Sequence, residues 1–389
     1  LALDKNKPVA IIMPTQEEID FFTIVLAESG FRRVTAFKST TEAYEVTTRQ
    51  QFDVFVTRME MPVMSGIVYI QKIRETGNYG SETHLFVCDK LSGDLLTLLF
   101  ELDLPYVLTK PFQKPIAVAK FAHVVTTEAT IPDEELKFRD ARSAYFNNLF
   151  DMASEMVEGV LKLKPDLEKA QLLKGDILLK QGDVSGAGKV YNHVLQNNKQ
   201  SMTAGHKLAQ IAVLENRPKD AAMLLSRMAD LNPYHIKILE NAGISCLKAD
   251  MLPEAERHMA KLATVDVGNK VVGNVVAEVR IKQGNYDDVV NCLSKTHTEK
   301  EIIQFLNNAG IKLSKENDVA GALKMYKSAV LQLEGKTPLL YAIYYNMGLA
   351  YKRLDDKMNA AVCWRKSLKL NADFEKAKQA LTDIGERIQ

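Results

Sequence analysis

Two cations stand where short apolar runs end. Arg58 closes "VFVTR" and leads into "MEMPVMSG"; Lys110 closes "YVLTK" ahead of Pro111-Phe112. A guanidinium stays protonated and offers five N–H donors, so it grips carboxylates or phosphates and cannot act as a nucleophile. Two further run ends carry Cys88, after "THLFV", and Pro14-Thr15, after "VAIIM". If these ends converge, Pro14, Thr15, Arg58, Cys88 and Lys110 line one pocket. Arg58 then has three possible uses: pairing internally with Glu60, Asp89 or Glu17, joining Lys110 to hold an anion or nucleotide, or standing exposed without a role. Structural ion pairs are commoner than ligand sites, which favours the first.

Other candidate chemistry is weaker. "GDVSGAGKV" (182–190) resembles a phosphate loop, but Asp183 stands where that loop needs its first glycine and Val190 where it needs Ser or Thr. It reads as a turn between helices. Cys88, Cys246, Cys292 and Cys363 form no CxxC pair, and no His or Cys pair has metal-ligand spacing. No Ser/His/Asp or paired-carboxylate constellation is present. The expectation is a non-enzyme with no cofactor and no metal.

The elements that must position the pocket alternate regularly. Val9 to Met13 is a continuous apolar run, as a strand buried on both faces requires. The stretch from Glu17 to Ser29 follows, with an apolar stripe at Ile19, Phe22, Val25 and Leu26. The same strand-then-helix unit recurs at 34–49, 52–74, 85–102 and 106–125. Five such pairs predict a five-stranded parallel sheet wound on both faces, with the site at the strand C-termini.

Residues 1–125 resemble the receiver domain of bacterial two-component response regulators, a flavodoxin-like α/β fold. The resemblance rests on Met61-Pro62 followed by Gly66, and on Lys110-Pro111-Phe112. It implies a cis Lys-Pro bond and a lysine that contacts a phosphoryl group. The departures fall on the chemistry. The family's Mg²⁺-holding acids after the first strand read Pro14-Thr15, its phosphoacceptor aspartate reads Arg58, and its switch hydroxyl reads Cys88. Its switch aromatic reads Val107, with Tyr106 one place earlier. Acyl-phosphate formation needs a carboxylate, and Mg²⁺ needs oxygen ligands, so the expectation is a receiver that is never phosphorylated at this site.

"LLTLLFELDL" (95–104) is apolar over most of a helical circumference, more than covering a sheet requires. Leu95, Leu98, Leu99, Leu102 and Tyr106 are therefore read as an interaction face, matching the output or dimerisation face that the receiver resemblance implies. Homodimerisation is one use of it.

From 134 onward a different period takes over. Ala153, Ala187, Ala221, Ala255 and Val289 are spaced by 34 residues, followed by Ala322 and Ala360. Twelve residues before each lies a second small residue, from Ala141 to Gly348, and four after each lies a larger apolar one, from Val157 to Trp364. This pattern resembles the tetratricopeptide repeat. After a linker at 126–133, residues 134–389 should form an all-α superhelical solenoid of about seven repeats with a C-terminal capping helix. The first and fifth copies match least well. By the resemblance, Lys237, Asn241, Asn307, Asn308, Tyr345 and Asn346 face the concave groove, where carboxamides can clamp a peptide backbone.

Charge is balanced, 50 Lys+Arg against 49 Asp+Glu, with no basic run of the kind that binds nucleic acid. No apolar run reaches transmembrane length and the first twenty residues lack a signal-peptide layout, so a cytoplasmic chain without membrane insertion is expected. The favoured function is a bacterial signalling adaptor that binds proteins or peptides through the groove and the fourth-helix face. Motility, polarity or second-messenger control are its implied settings. The alternative is a sensor gated by an anion or phosphorylated metabolite at the Arg58/Lys110 pocket.

Overall fold

In a computed structural model, residues 5–76, 79, 82–102, 104–129 and 132–386 are described. The chain divides into two compact units. One comprises 1–249 with 261–267, the other 250–260 with 268–389.

The first unit begins with a five-stranded parallel sheet in the order β2-β1-β3-β4-β5. Its strands are β1 (Val9–Ile12), β2 (Val34–Phe37), β3 (Val54–Arg58), β4 (Thr83–Cys88) and β5 (Tyr106–Thr109). Every residue of β1, β3 and β4 is buried, which explains their continuous apolar runs. The connecting helices are α1 (Gln16–Glu28), α2 (Thr40–Thr47), α3 (Gly66–Glu75), α4 (Gly93–Glu101) and α5 (Lys114–Ala129). Phe22, Val25 and Leu26 of α1 join Phe121 and Val124 of α5 over one sheet face. Chain order reverses between β1 and β3, so the ends of those two strands open onto one crevice.

Helix α5 runs to Ala129, and α6 (Asp133–Phe146) begins three residues after 130. The segment expected as a linker therefore has five of its eight residues, 126–129 and 133, in helices. It contains no Gly, and its only Pro is Pro132, which N-caps α6. Seven helix pairs follow: α6 with α7 (Phe150–Leu163), α8 (Glu168–Lys180) with α9 (Val184–Asn197), and α10 (Met202–Leu214) with α11 (Pro218–Leu231). Next come α12 (Ile236–Lys248) with α13 (Leu252–Val265) and α14 (Lys270–Lys282) with α15 (Val289–Ser294). The last are α16 (Glu299–Lys315) with α17 (Val319–Leu333), and α18 (Leu340–Arg353) with α19 (Lys357–Leu370). Helix α20 (Glu375–Asp383) lays Ala377, Ala380 and Leu381 against Trp364. The weak fifth copy has a short α15 preceded by a 3₁₀ turn at Tyr286–Asp288.

All seven positions from Ala153 to Ala360 are fully buried. A Cβ on Gly348 would overlap the Trp364 ring, and one on Gly175 would overlap Tyr191. Small residues recur because the large residue of the second helix crosses there. A second period escaped the sequence reading. Asn148, Gly182, Asn216, Asp250, Gly284, Asn317 and Asp355 all have positive φ, one at each intra-pair turn. Gly, Asn and Asp tolerate that left-handed conformation at a helix C-terminus, and Asp183, Asp318 and Asp356 then N-cap the next helix. "GDVSGAGKV" is one of these turns.

Candidate functional site: a caged arginine

The ends of β1, β3, β4 and β5 bring the five pocket residues to one edge of the sheet. Thr15 N-caps α1, its hydroxyl accepting from the Glu18 backbone N–H at 3.2 Å. That cap aims Glu18, rather than the expected Glu17, at the end of β3. In the first turn, successive residues point about 100° apart.

Arg58 is 2 % exposed despite its charge. Its Nη2 donates to Asp89 Oδ1 at 2.5 Å, Nη1 lies 3.1 Å from Glu60 Oε2, and Nε lies 3.7 Å from Glu18 Oε1. Nε and Nη1 lack hydrogen-bond geometry to a partner in the described residues, so those two contacts act through charge. Lys110 adds Asp89 at 3.1 Å and Glu18 at 3.4 Å. The Phe112 ring lies under both cations, 5.4 Å from the Arg58 guanidinium and 5.5 Å from Lys110 Nζ. The Lys110–Pro111 peptide is cis.

The electrostatic consequences agree with this geometry. Hydrogen bonds from Arg58, then from Lys110, hold the Asp89 carboxyl below its ordinary range. Burial pushes the Cys88 thiol up to about 11, with Glu60 adding to the shift. A fully buried, protonated thiol is a poor nucleophile, which argues against redox sensing there. Three carboxylates surround two cations, so Arg58 and Lys110 together offset two of the three negative charges, and no net positive charge is left to attract an anion. Pro14 brings no side-chain oxygen. Among the described residues, no group of three or more His, Cys, Asp and Glu could hold a metal ion.

The loop after Arg58 is tightly tied. Met59 N–H donates to Val87 O at 2.7 Å and Gly66 N–H to Met59 O at 3.0 Å. A Cβ at Gly66 would strike the Arg58 carbonyl. Val63, at the loop tip, has φ +68°, a rare conformation for a β-branched residue.

The residues expected to form a fourth-helix interaction face are largely buried. Leu95, Leu98, Leu99 and Tyr106 are 3, 0, 1 and 7 % exposed, and Leu102 is half-buried. Leu96, at 39 %, is the exposed leucine of α4 among those described.

The expected groove residues fall into two sets. In the first unit, Asn241 Nδ2 lies 2.6 Å from His206 Nε2, and both line a cavity of about 400 Å³ with Gln210 and Lys248. Burial lowers the His206 pKa to about 4. Lys237 pairs with Glu240 at 3.2 Å. In the second unit, Asn308 lines a cavity of about 710 Å³ with Phe305, Lys312 and Glu278. Asn346 Nδ2 donates to Asn307 Oδ1 at 2.9 Å, so one donor and one acceptor of this pair are taken up within the chain. Tyr345 stacks edge-on against Phe374, and its carbonyl accepts from Trp364 Nε1 at 3.1 Å.

With this geometry in hand, comparison with known proteins gives a family. Residues 10–121 match the family model of the response regulator receiver domain, and this part of the chain is a receiver domain. The chain matches none of the curated proteins. Similar solved structures include a tetratricopeptide repeat protein from Parabacteroides merdae, 16 % identical. The match covers 64 % of this chain and 97 % of that one, with a TM-score of 0.42. The Vibrio cholerae chemotaxis protein CheY4 is 20 % identical over 31 % of this chain and 98 % of its own, with a TM-score of 0.28. YrrB, a tetratricopeptide protein with an unusual peptide-binding site, is 12 % identical over 59 % and 99 %, at 0.35. No helix among the described residues is long and apolar enough to cross a membrane.

Proposed function

We propose that the chain is a non-enzymatic signalling adaptor whose receiver does not take up phosphate and whose helical repeats bind another protein. A receiver domain joined to tetratricopeptide-like repeats supports a signalling or protein-interaction role in general. The observation that carries the finer reading is the caged Arg58, with Glu18, Glu60 and Asp89 around it. The position from which a carboxylate would attack phosphorus carries a side chain with no lone pair to offer. The acids around it face that guanidinium. The receiver would thus contribute one permanent docking shape, and the cavities at Asn241 and Asn308 are where a peptide would lie. Bacterial motility, polarity or second-messenger control, in a cytoplasmic setting, fits such an adaptor. An anion sensor finds no support in a pocket where carboxylates outnumber cations.

The test is incubation of the full chain with acetyl phosphate or beryllofluoride and Mg²⁺, read by intact mass and melting temperature. No adduct and no shift are expected for the native sequence or for Arg58→Asp, since Pro14 still offers no side-chain oxygen. A phosphorylated species on the native chain would overturn the proposal. Partner capture by cross-linking in the native host, compared with an Asn308→Ala/Asn241→Ala variant, tests the groove. Unchanged capture would exclude it.

A further inference from the structure

Helix α12 opens without a cap of its own. His235 stands at its N-cap position and makes no side-chain cap bond, whereas α9, α17 and α19 each have a capping aspartate. The first N–H groups of a helix have no intrahelical acceptor, and buried ones must find a partner elsewhere. Ile236, the first residue of α12, is 2 % exposed. Its N–H donates to Oε1 of Gln71, on receiver helix α3, at 3.1 Å, and Gln71 Nε2 donates to Tyr234 O at 3.1 Å. Gln71 is itself buried. One receiver carboxamide thus satisfies both a donor and an acceptor at the turn into the fourth repeat.

A second, independent contact lies one residue along. Asp266, just past the end of α13, is 1 % exposed. A carboxylate so buried needs a paired cation, and Lys72 Nζ of α3 lies 2.9 Å from it. Met64, in the loop after Arg58, forms an antiparallel bridge with the same Asp266, and its carbonyl accepts from Thr40 Oγ1 at 2.7 Å. Met64 sits inside the loop that the Arg58–Glu60 pair and the Met59–Gly66 bond tie down.

We infer that the loop after β3, together with α3, is an intramolecular docking surface whose occupant is the fourth repeat, and that the Arg58 cage holds this loop in its docking shape. The receiver completes this part of the fourth repeat by capping α12 and neutralising Asp266. The α3 face is then closed to outside proteins. This reading does not depend on which partner the groove takes, nor on whether phosphate binds.

Hydrogen–deuterium exchange on the full chain tests it with Gln71→Ala, Lys72→Met and Arg58→Met. Gln71→Ala should speed exchange at the α12 N-terminus about 3- to 10-fold, the population change expected from losing one or two hydrogen bonds, with 340–370 unchanged. Lys72→Met should do the same around 264–266. Arg58→Met, which touches neither contact, should speed exchange at Met64 and at both repeat segments. Unchanged exchange at 236–239 in Gln71→Ala would overturn the docking. Faster exchange at Met64 with no change at the repeat segments in Arg58→Met would overturn the role of the cage. Because Lys72→Met strands a buried carboxylate, Lys72→Met/Asp266→Leu serves as a second variant. It should restore global melting while exchange at 264–266 stays fast, and slow exchange there would count against the docking.

Discussion

Replacing Arg58 by methionine keeps an unbranched apolar stem and removes the charge together with the hydrogen bond to Asp89. Glu18, Glu60 and Asp89 would then face one another with Lys110 as the remaining cation, at 3.1 and 3.4 Å from Asp89 and Glu18. Breaking a buried ion pair by removing one partner costs about 3–5 kcal/mol. Here the charge lost is deeply buried, but the Glu60 and Asp89 side chains are 39 and 48 % exposed, so water screens part of their repulsion. About 2–3 kcal/mol is the expected net loss at pH 7, or roughly 5–10 °C in melting temperature for a unit of this size. The pH dependence carries its own sign. Asp89 has a folded-state pKa depressed by Arg58, so its stabilisation is present above the unfolded value near 4 and disappears as pH falls through the folded value. The native chain should therefore lose its advantage over Arg58→Met below about pH 4. Chemical denaturation at pH 7, 5 and 3.5 measures this. A difference under about 0.5 kcal/mol at pH 7, or one that persists undiminished at the lowest pH where both fold, would refute the account of a caged, neutralising guanidinium.

Two further expectations concern packing and thiol chemistry. Gly348→Ala should destabilise the last repeat by about 1–3 kcal/mol because its methyl meets Trp364, whereas Gly159→Ala, in open space on α7, should stabilise by about 0.5–1 kcal/mol. Equal signs in urea titrations would disprove the crossing argument. Under native conditions at pH 8, maleimide labelling mapped by peptide mass should leave Cys88 unmodified, since its thiol is buried and its pKa lies near 11. Rapid labelling of Cys88 in the folded chain would reopen a redox role.

Much of the architecture was legible because the signals are local and repeated. A buried parallel strand needs a continuous apolar run, and a close helix crossing needs a small residue opposite a large one, so both leave marks at fixed spacing. The left-handed turn residues from Asn148 to Asp355 leave an equally regular mark, but it is spread over Asn, Asp and Gly, so no single residue type carries the period. The apolar excess of α4 is legible in the sequence, but whether this chain or another covers it is not. Apolarity says that a side chain is covered and cannot say by what.

The amino-acid order alone determined the alternating strands and helices, the repeat register and the presence of a cation where a nucleophile belongs, since each follows from residues a few positions apart. The fold decided that Glu18 rather than Glu17 closes on Arg58, because a helix cap sets which first-turn side chain points inward. It also decided that Gln71 and Lys72 meet residues more than 160 positions away. Such contacts depend on how two surfaces meet, and no spacing within a single segment records that.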